Sequence, residues 1–242
     1  MRILAIDSTA TSASVAITQD GVTLTCRVEQ NGLTHSELLL PMIEEALRET
    51  NLTFADIDLY AVSAGPGSFT GVRIGVATIK GLAFGTEKPC VGVSTLESLG
   101  ENLRFAEGCI LSPVMDARRG QVYNALFTVK NGELVRLTPD RAIPLTELIL
   151  ELKETYPDLP IYLSGDGYTL GYKALKEAGL PVQDTPDGVI LQNGASIAAC
   201  AARAYGRGEW VTERDLNPVY LRLPQAERDR LAKEHASKEK KE

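Results

Sequence analysis

The chain of 242 residues is acidic, with a formal net charge of −7, and 44% of its residues are hydrophobic and 24% charged. This composition excludes a wholly disordered chain, and the length allows one large domain or two small ones. An acidic chain is also a poor main platform for a nucleic-acid phosphate backbone, because that binding needs clustered Lys and Arg.

The four cysteines and two histidines restrict the chemistry further. No two cysteines form a C-x-x-C motif, so zinc-ribbon and thioredoxin-type sites are excluded. A two-histidine zinc helix is impossible with only His35 and His235, and a Ser-His-acid site has no G-x-S-x-G motif to support it. Because no apolar run approaches about 18 residues and no signal-peptide core is present, we expect a reduced, cytoplasmic protein without a membrane segment.

The first half of the chain predicts elements in the order β-β-β-α-β-α-β. A buried strand over 2–6 ends at Asp7, and a hairpin turn at Asp20-Gly21 joins the next two strands. A capping box at Thr34–Glu37 precedes an amphipathic helix over 35–49. The remaining elements of this half are strands over 59–64 and 90–94 and a helix over 71–85.

A second segment with the pattern of the N-terminal strands begins near residue 109. There a strand over 109–115 again leads to an aspartate, Asp116, before a polar turn and a strand over 121–128. The same order around Asp7 indicates an internal duplication, although one matched pair of hairpins is weak evidence by itself. The elements predicted after it are helices over 145–156, 169–178 and 193–206, a strand over 161–164, and a charged tail over 226–242.

The glycine-rich run from Gly65 to Gly71 follows a strand and opens a helix, where backbone N–H groups can hold a phosphate. It fits neither the Walker A nor the Rossmann spacing. Two interpretations stay equally open: a phosphate-binding loop, or a tight strand-to-helix turn capped by Ser68 or Thr70. The glycines continue into the helix and indicate close approach, either to the protein's own sheet or to a partner helix.

Asp7 and Asp116 each stand at a strand end before a polar turn. Carboxylates in that position can hold a hydrated metal beside a nucleotide phosphate. The same residue type also serves as a turn or cap, and the pattern alone favours this second role.

Four segments, in this order along the chain, resemble the TsaB (YeaZ) family: Ile3–Thr9, Gly65–Gly75, Met115–Tyr123 and Pro218–Arg222. The resemblance covers about residues 1–225. It implies an α/β protein with the actin-like ATPase fold of the hexokinase/Hsp70 type, in which two duplicated domains carry mixed sheets flanked by helices. We expect the domains over 1–105 and 106–225, followed by the tail.

The resemblance also implies a function. The family supplies a subunit of the bacterial machinery that makes N6-threonylcarbamoyladenosine at position 37 of ANN-reading tRNAs. That subunit is the dimerisation partner and activator of its paralogue, the transferase TsaD, and the ATPase TsaE joins the pair. We therefore expect no catalytic residue, metal or cofactor in this chain, a homodimer when TsaD is absent, and contact with tRNA only through the complex.

The residues that align with the TsaD metal site agree with this expectation. TsaD carries a His-x-Glu-x-His motif, whereas here Thr95 and Leu99 stand at the histidine positions and only Glu97 remains. A lone carboxylate cannot assemble that metal site. The rival hypotheses are an independent ATPase or sugar-type kinase built around Asp7 and Asp116, and a protease, which the missing histidines disfavour.

The resemblance places the partner surface on the helices over 35–49 and 71–85, which form a four-helix bundle with their TsaD counterparts. The residues expected at this surface are Leu38, Leu39, Met42, Ile43, Leu47, Gly71, Gly75 and Ile79. Which of these side chains face outward is open from the sequence. The residues expected beside a nucleotide, if one binds, are Asp7, Gly65, Gly67, Ser68 and Asp116.

Overall fold

A computed structural model describes residues 1–30 and 34–222, and its first sheet has five strands in the order β3-β2-β1-β4-β5. β1 lies antiparallel to β2 and parallel to β4. Almost every residue of the central strands is buried, as expected for a sheet covered by helices on both faces. The strands are β1 (Arg2–Asp7), β2 (Ala13–Gln19), β3 (Val22–Glu29), β4 (Leu59–Gly65) and β5 (Cys90–Ser94).

The second sheet repeats this arrangement around its own central strand. β6 pairs antiparallel with β7 and β8 and parallel with β11. In the same way, β1 pairs antiparallel with β2 and parallel with β4. Asp116 ends β6 as Asp7 ends β1, so the topology contains the predicted duplication. The strands are β6 (Ile110–Asp116), β7 (Gln121–Asn124), β8 (Phe127–Lys130), β9 (Glu133–Arg136), β10 (Arg141–Pro144) and β11 (Ile161–Ser164).

Helices cover both faces of the first sheet. α1 and α2 pack on the face that carries Leu4 and Ile6, and α6 packs on the opposite face. α3 contacts both α6 and β6 and so lies between the sheets, whereas α4 and α5 pack in the second unit. The helices are α1 (His35–Thr50), α2 (Phe69–Ala83), α3 (Thr95–Asn102), α4 (Leu145–Thr155), α5 (Tyr168–Glu177) and α6 (Gly194–Gly206). Across residues 1–30 and 34–222, none of the helices combines the length and apolar character needed to traverse a membrane.

Capping side chains explain where α1 and α2 begin. The predicted capping box is formed, and the Thr34 N–H donates to the Glu37 carboxylate at 3.1 Å. α2 begins at Phe69, two residues before its predicted start, because the Ser68 hydroxyl caps it by accepting the Gly71 N–H at 3.3 Å. Both helices follow strands that point the same way, so they run side by side along the sheet.

The second sheet differs from the prediction in its details. The strand predicted over 121–128 is wrong as a single strand, because the backbone between β7 and β8 turns to new partners. The Leu126 N–H donates to the Thr138 hydroxyl at 2.8 Å, and the Leu126 carbonyl accepts the Leu137 N–H at 2.8 Å. β9, β10 and α3 are additional elements that the sequence pattern did not predict.

The end of the described chain returns to the first sheet. α6 packs there, Val211 bridges to Cys90 on β5, and Leu216 is buried among residues of the first core. The domain boundaries at 105 and 225 stay a prediction, but this return belongs to the stretch that the sequence assigned to the second domain. The tail over 226–242, with His235, lies outside the described residues.

Candidate functional site

A cleft opens between the two units at the ends of β1 and β6, and it encloses a cavity of about 420 Å³. The turn after β1 and the start of α2 form one wall. The turn after β6 and Asp166, which follows β11, form the other. Ligands of open α/β sheets bind beyond the carboxyl ends of strands, so this cleft is one candidate site.

Asp7 lies behind the cleft wall and does not line the cavity. Its fully buried carboxylate accepts the Thr9 N–H at 2.8 Å and the Thr9 hydroxyl at 3.1 Å. Burial raises the pKa of the Asp7 carboxyl. Thr9, which does line the cleft, therefore covers Asp7, and the aspartate acts as the turn residue that its pattern favoured. His35 ties the same turn to α1, with its Nε2 2.7 Å from the Ala10 carbonyl oxygen.

Two acidic side chains do line the cleft, Asp116 and Asp166. The Asp166 carboxylate accepts the Asp116 N–H at 3.3 Å, and the Asp116 carboxylate accepts the Arg118 N–H at 2.7 Å. Asp166 is an exposed residue, and partial desolvation of its carboxyl in the cleft raises its pKa. Over the described ranges, His, Cys, Asp and Glu side chains form no group of three suited to a metal ion.

The glycines after β4 allow close packing of backbone on backbone. A Cβ at Gly67 would lie 2.6 Å from the Thr9 carbonyl oxygen, and one at Gly71 would lie 1.9 Å from the Ser8 carbonyl oxygen. The Ser68 N–H already donates to the Thr9 carbonyl at 2.7 Å. Of the two interpretations of this run, the geometry favours the tight strand-to-helix turn, because the turn after β1 occupies the positions that side chains at Gly67 and Gly71 would take; Gly67 and Ser68 also line the cavity.

A strap formed by residues 216–222 runs along the edge of the cleft. It is anchored on the first unit, where Leu216 is buried and the Val219 N–H donates to the Ala64 carbonyl at 2.7 Å. Gly65 is required at this crossing, since its φ is +118° and a Cβ would lie 2.3 Å from the Val219 carbonyl oxygen. Gly65 therefore allows the strap to pack closely on β4, and it does not line the cavity.

The far end of the strap reaches the second unit. The Tyr220 ring packs on the Phe69 ring with their centroids 4.8 Å apart. One residue beyond Leu221, the Arg222 guanidinium donates to the Ala117 carbonyl at 2.6 Å. The segment resembling the family at Pro218–Arg222 is thus a structural bridge between the two units.

Two of the three positions that match the TsaD metal ligands lie on the buried face of α3. Thr95 and Leu99 are both fully buried, and Leu99 packs in the core between the units. Glu97 lies on another face, where its carboxylate pairs with the Arg136 guanidinium at 3.3 Å, and Arg136 stacks over the Phe127 ring. The three positions therefore do not converge on one point.

The expectation for the partner surface needs correction, because the residues chosen for it lie in the protein's own core. Leu38 is partly buried and packs against that core. The other seven are buried by the first sheet: Leu39, Met42, Ile43, Leu47, Gly71, Gly75 and Ile79. A Cβ at Gly75 would lie 2.6 Å from the Ser8 hydroxyl oxygen and 3.1 Å from Val62. The resemblance placed the surface on these two helices, and apolar spacing on α1 and small residues on α2 selected the positions; both features mark first the side that packs on the protein's own sheet.

The opposite side of α2 carries an exposed row that hydrophobic spacing missed. Arg73, Ala77 and Gly81 are all exposed and stand four residues apart, so they form one stripe. Nothing lies within 4 Å of the position that a Cβ on Gly81 would take. Phe84, directly after the helix, is 76% exposed, and Leu40 on α1 is 50% exposed. We call Arg73, Ala77 and Gly81 the outward stripe.

Comparison with known proteins places the chain among proteins of one tRNA modification pathway. The family model described as TsaD, tRNA N6-adenosine threonylcarbamoyltransferase, matches residues 29–182. The Escherichia coli (strain K12) tRNA threonylcarbamoyladenosine biosynthesis protein TsaB is 33% identical, over 92% of this chain and 95% of that protein. The TsaB protein of Bacillus subtilis (strain 168) is 34% identical, over 94% of this chain and 96% of that protein.

A solved structure shares the architecture as well as the sequence. YeaZ from Pseudomonas aeruginosa superposes with a TM-score of 0.75 at 27% identity, covering 91% of this chain and 99% of that chain. Together with the matching strand pairing around β1 and β6, this match confirms the predicted actin-like ATPase fold with duplicated mixed sheets.

Proposed function

Because the chain belongs to the TsaB (YeaZ) family of tRNA threonylcarbamoyladenosine biosynthesis proteins, we propose that it is a non-catalytic subunit of that pathway. In this role it dimerises with the transferase TsaD, activates it, and acts together with TsaE in the cytoplasm. The complex modifies adenosine 37 of ANN-reading tRNAs, and the chain contacts tRNA only within that complex. Without TsaD, the same surface pairs two copies of the chain.

The chemistry of α3 supports the non-catalytic part of the proposal. A metal site needs several side chains with ligand atoms directed at one point. Leu99 has no ligand atom, Thr95 is sealed in the core, and the Glu97 carboxylate is already paired with Arg136. On this proposal the chain keeps the fold that it shares with the transferase but lacks the side chains that would bind the transferase's metal ion.

The observation that carries the partner role is the outward stripe on α2. A glycine within a helix costs about 1 kcal/mol relative to alanine, so an exposed one calls for a gain elsewhere. Small residues at Ala77 and Gly81 allow a second helix to approach closely, and the exposed Phe84 and Leu40 would be buried by that approach. The partner surface that we propose is thus the outer side of α1 and α2, on the two helices that the resemblance implies but away from the core residues first expected there.

The experiment that tests the proposal is a reconstituted modification assay. tRNA and threonylcarbamoyl-adenylate are incubated with TsaD and TsaE, with or without this chain, and with this chain alone. We expect product to increase when the chain is added to TsaD and TsaE, and no product above background from the chain alone. Product formed without TsaD would contradict the non-catalytic role.

The cleft supports a second candidate function, an independent nucleotide-binding ATPase or kinase. Its cavity of about 420 Å³ is lined by Ser68, Asp116 and Asp166, three residues of the kind that nucleotide sites use. The burial of Asp7 behind Thr9 argues against this function. Of Asp7 and Asp116, the two aspartates on which the ATPase hypothesis depends, only Asp116 lines the cavity. Titration of ATP with Mg²⁺ into the isolated chain separates the two: tight binding with hydrolysis favours the ATPase, and no hydrolysis favours the subunit.

A further inference from the structure

A groove lies between α2 and the strap, separate from the main cavity of the cleft. Its volume is about 360 Å³, and most of its wall is apolar, with Val76 from α2 and Leu216 and Pro218 from the strap. The stacked rings of Phe69 and Tyr220 close one end. Ala77 lines the groove and also belongs to the outward stripe, so the groove opens directly onto the proposed partner surface.

The charge of the groove is opposite to that of the chain. Its lining holds Arg73 and Lys80 and no acidic residue, on a chain whose formal net charge is −7. The Lys80 ammonium is already engaged, since it donates to the carbonyls of Arg214 and Leu216 at 3.0 Å each and so fixes the start of the strap. Arg73 is exposed, and no carboxylate of residues 1–30 or 34–222 forms an ion pair with it.

The position of the Arg73 guanidinium leaves its hydrogen-bonding edges open to a ligand. Its central carbon lies 5.2 Å from the centroid of the Phe69 ring, so the ring supports one face of the group. A planar guanidinium held in this way can donate two parallel hydrogen bonds to one carboxylate. The apolar wall formed by Val76 and Pro218 can contact the aliphatic part of the side chain that carries this carboxylate, or an apolar residue next to it.

We infer that this groove receives an acidic side chain of the partner subunit TsaD, carried by the helix that packs on the outward stripe. The inference rests on the proposed function, and it adds the chemistry by which the partner is recognised. Because Arg73 stands one turn before Ala77 and two turns before Gly81, a helix crossing those small residues brings a flanking residue to the guanidinium. Electrostatic pairing at this point fixes the register of the two subunits.

The test is a calorimetric titration of the cognate TsaD into wild type, Arg73→Ala, Arg73→Lys and Lys173→Ala at several salt concentrations. Lys173→Ala is the matched control, because it removes one exposed positive charge from α5 in the second unit. We expect Arg73→Ala to weaken binding at least about tenfold and to flatten its salt dependence. Arg73→Lys should restore only part of the affinity, because an ammonium cannot make the paired contact.

A Gly81→Arg variant in the same series separates this inference from the proposed function. If Arg73→Ala binds like Lys173→Ala while Gly81→Arg does not bind, the groove assignment is overturned and the partner surface stands. If neither variant weakens binding, or wild type does not bind, both are overturned. If Arg73→Ala weakens only self-association, measured by sedimentation, a second copy of the chain fills the groove and the assignment to TsaD is overturned.

Discussion

In α2, Gly71 and Gly75 lie against the chain's own backbone and side chains, whereas Gly81 faces outward with no atom within 4 Å of its absent Cβ. The two inward glycines allow the helix to seat on the turn at Ser8, whose hydroxyl donates to the Gly71 carbonyl at 2.8 Å. The outward glycine contacts nothing in its own chain. Glycine in this one helix therefore serves the fold at one end and, on our proposal, assembly at the other.

Gly71→Ala should have the largest effect on stability. The added methyl would lie 1.9 Å from the Ser8 carbonyl oxygen, and backbone on both sides must move to admit it. We expect the free energy of unfolding to fall by about 3 kcal/mol or more, the upper end for overpacked sites. Urea denaturation measures this loss, and a Gly71→Ala variant as stable as wild type would show that the inward contact is not tight.

Gly75→Ala should cost less, about 1–2 kcal/mol. The methyl meets the Ser8 hydroxyl oxygen at 2.6 Å and Val62 at 3.1 Å, both side-chain atoms, and the gain in helix propensity offsets part of the strain. A double-mutant cycle with Ser8→Ala sharpens the assignment, because removing the hydroxyl should recover part of the loss. Strictly additive free energies of unfolding would contradict a direct contact between these positions.

Gly81→Ala should have the smallest effect and the opposite sign. Because the site is open, the methyl meets no atom, and the variant should be more stable than wild type by up to about 1 kcal/mol. The same substitution in the same helix serves as the control for the two inward sites. A loss of stability at Gly81 comparable to that at Gly71 would remove the distinction between the two groups.

Local signals in the sequence were enough to predict most of the first sheet and the helices on it. The capping box at Thr34–Glu37, the hairpin at Asp20-Gly21 and the strand endings at Asp7 and Asp116 each depend on residues close in sequence, and each is found as predicted. The break between β7 and β8 was missed because its cause, the hydrogen bond from Leu126 to Thr138, joins residues across a later hairpin.

The site was less accessible to sequence reasoning. Apolar spacing identified Leu39 and Ile43 correctly as one stripe of α1, but a stripe of that kind covers the sheet before it can face a partner. The direction of the α2 glycines depends on Ser8, which is 63 residues from Gly71, and no local pattern contains that contact. The exposed 73–77–81 spacing was present in the sequence, and it becomes informative once the opposite face is known to be buried.

On our proposal the outer side of α2 pairs with TsaD, and the affinity of Gly81→Arg for the cognate TsaD is the decisive measurement. Gly206→Arg is the control, since Gly206 ends α6 on the other face of the sheet and also has no atom within 4 Å of its absent Cβ. We expect both variants to melt within about 2 °C of wild type, because each site is open. Gly81→Arg should lose TsaD binding and Gly206→Arg should retain it, and wild-type affinity in Gly81→Arg would contradict the claim.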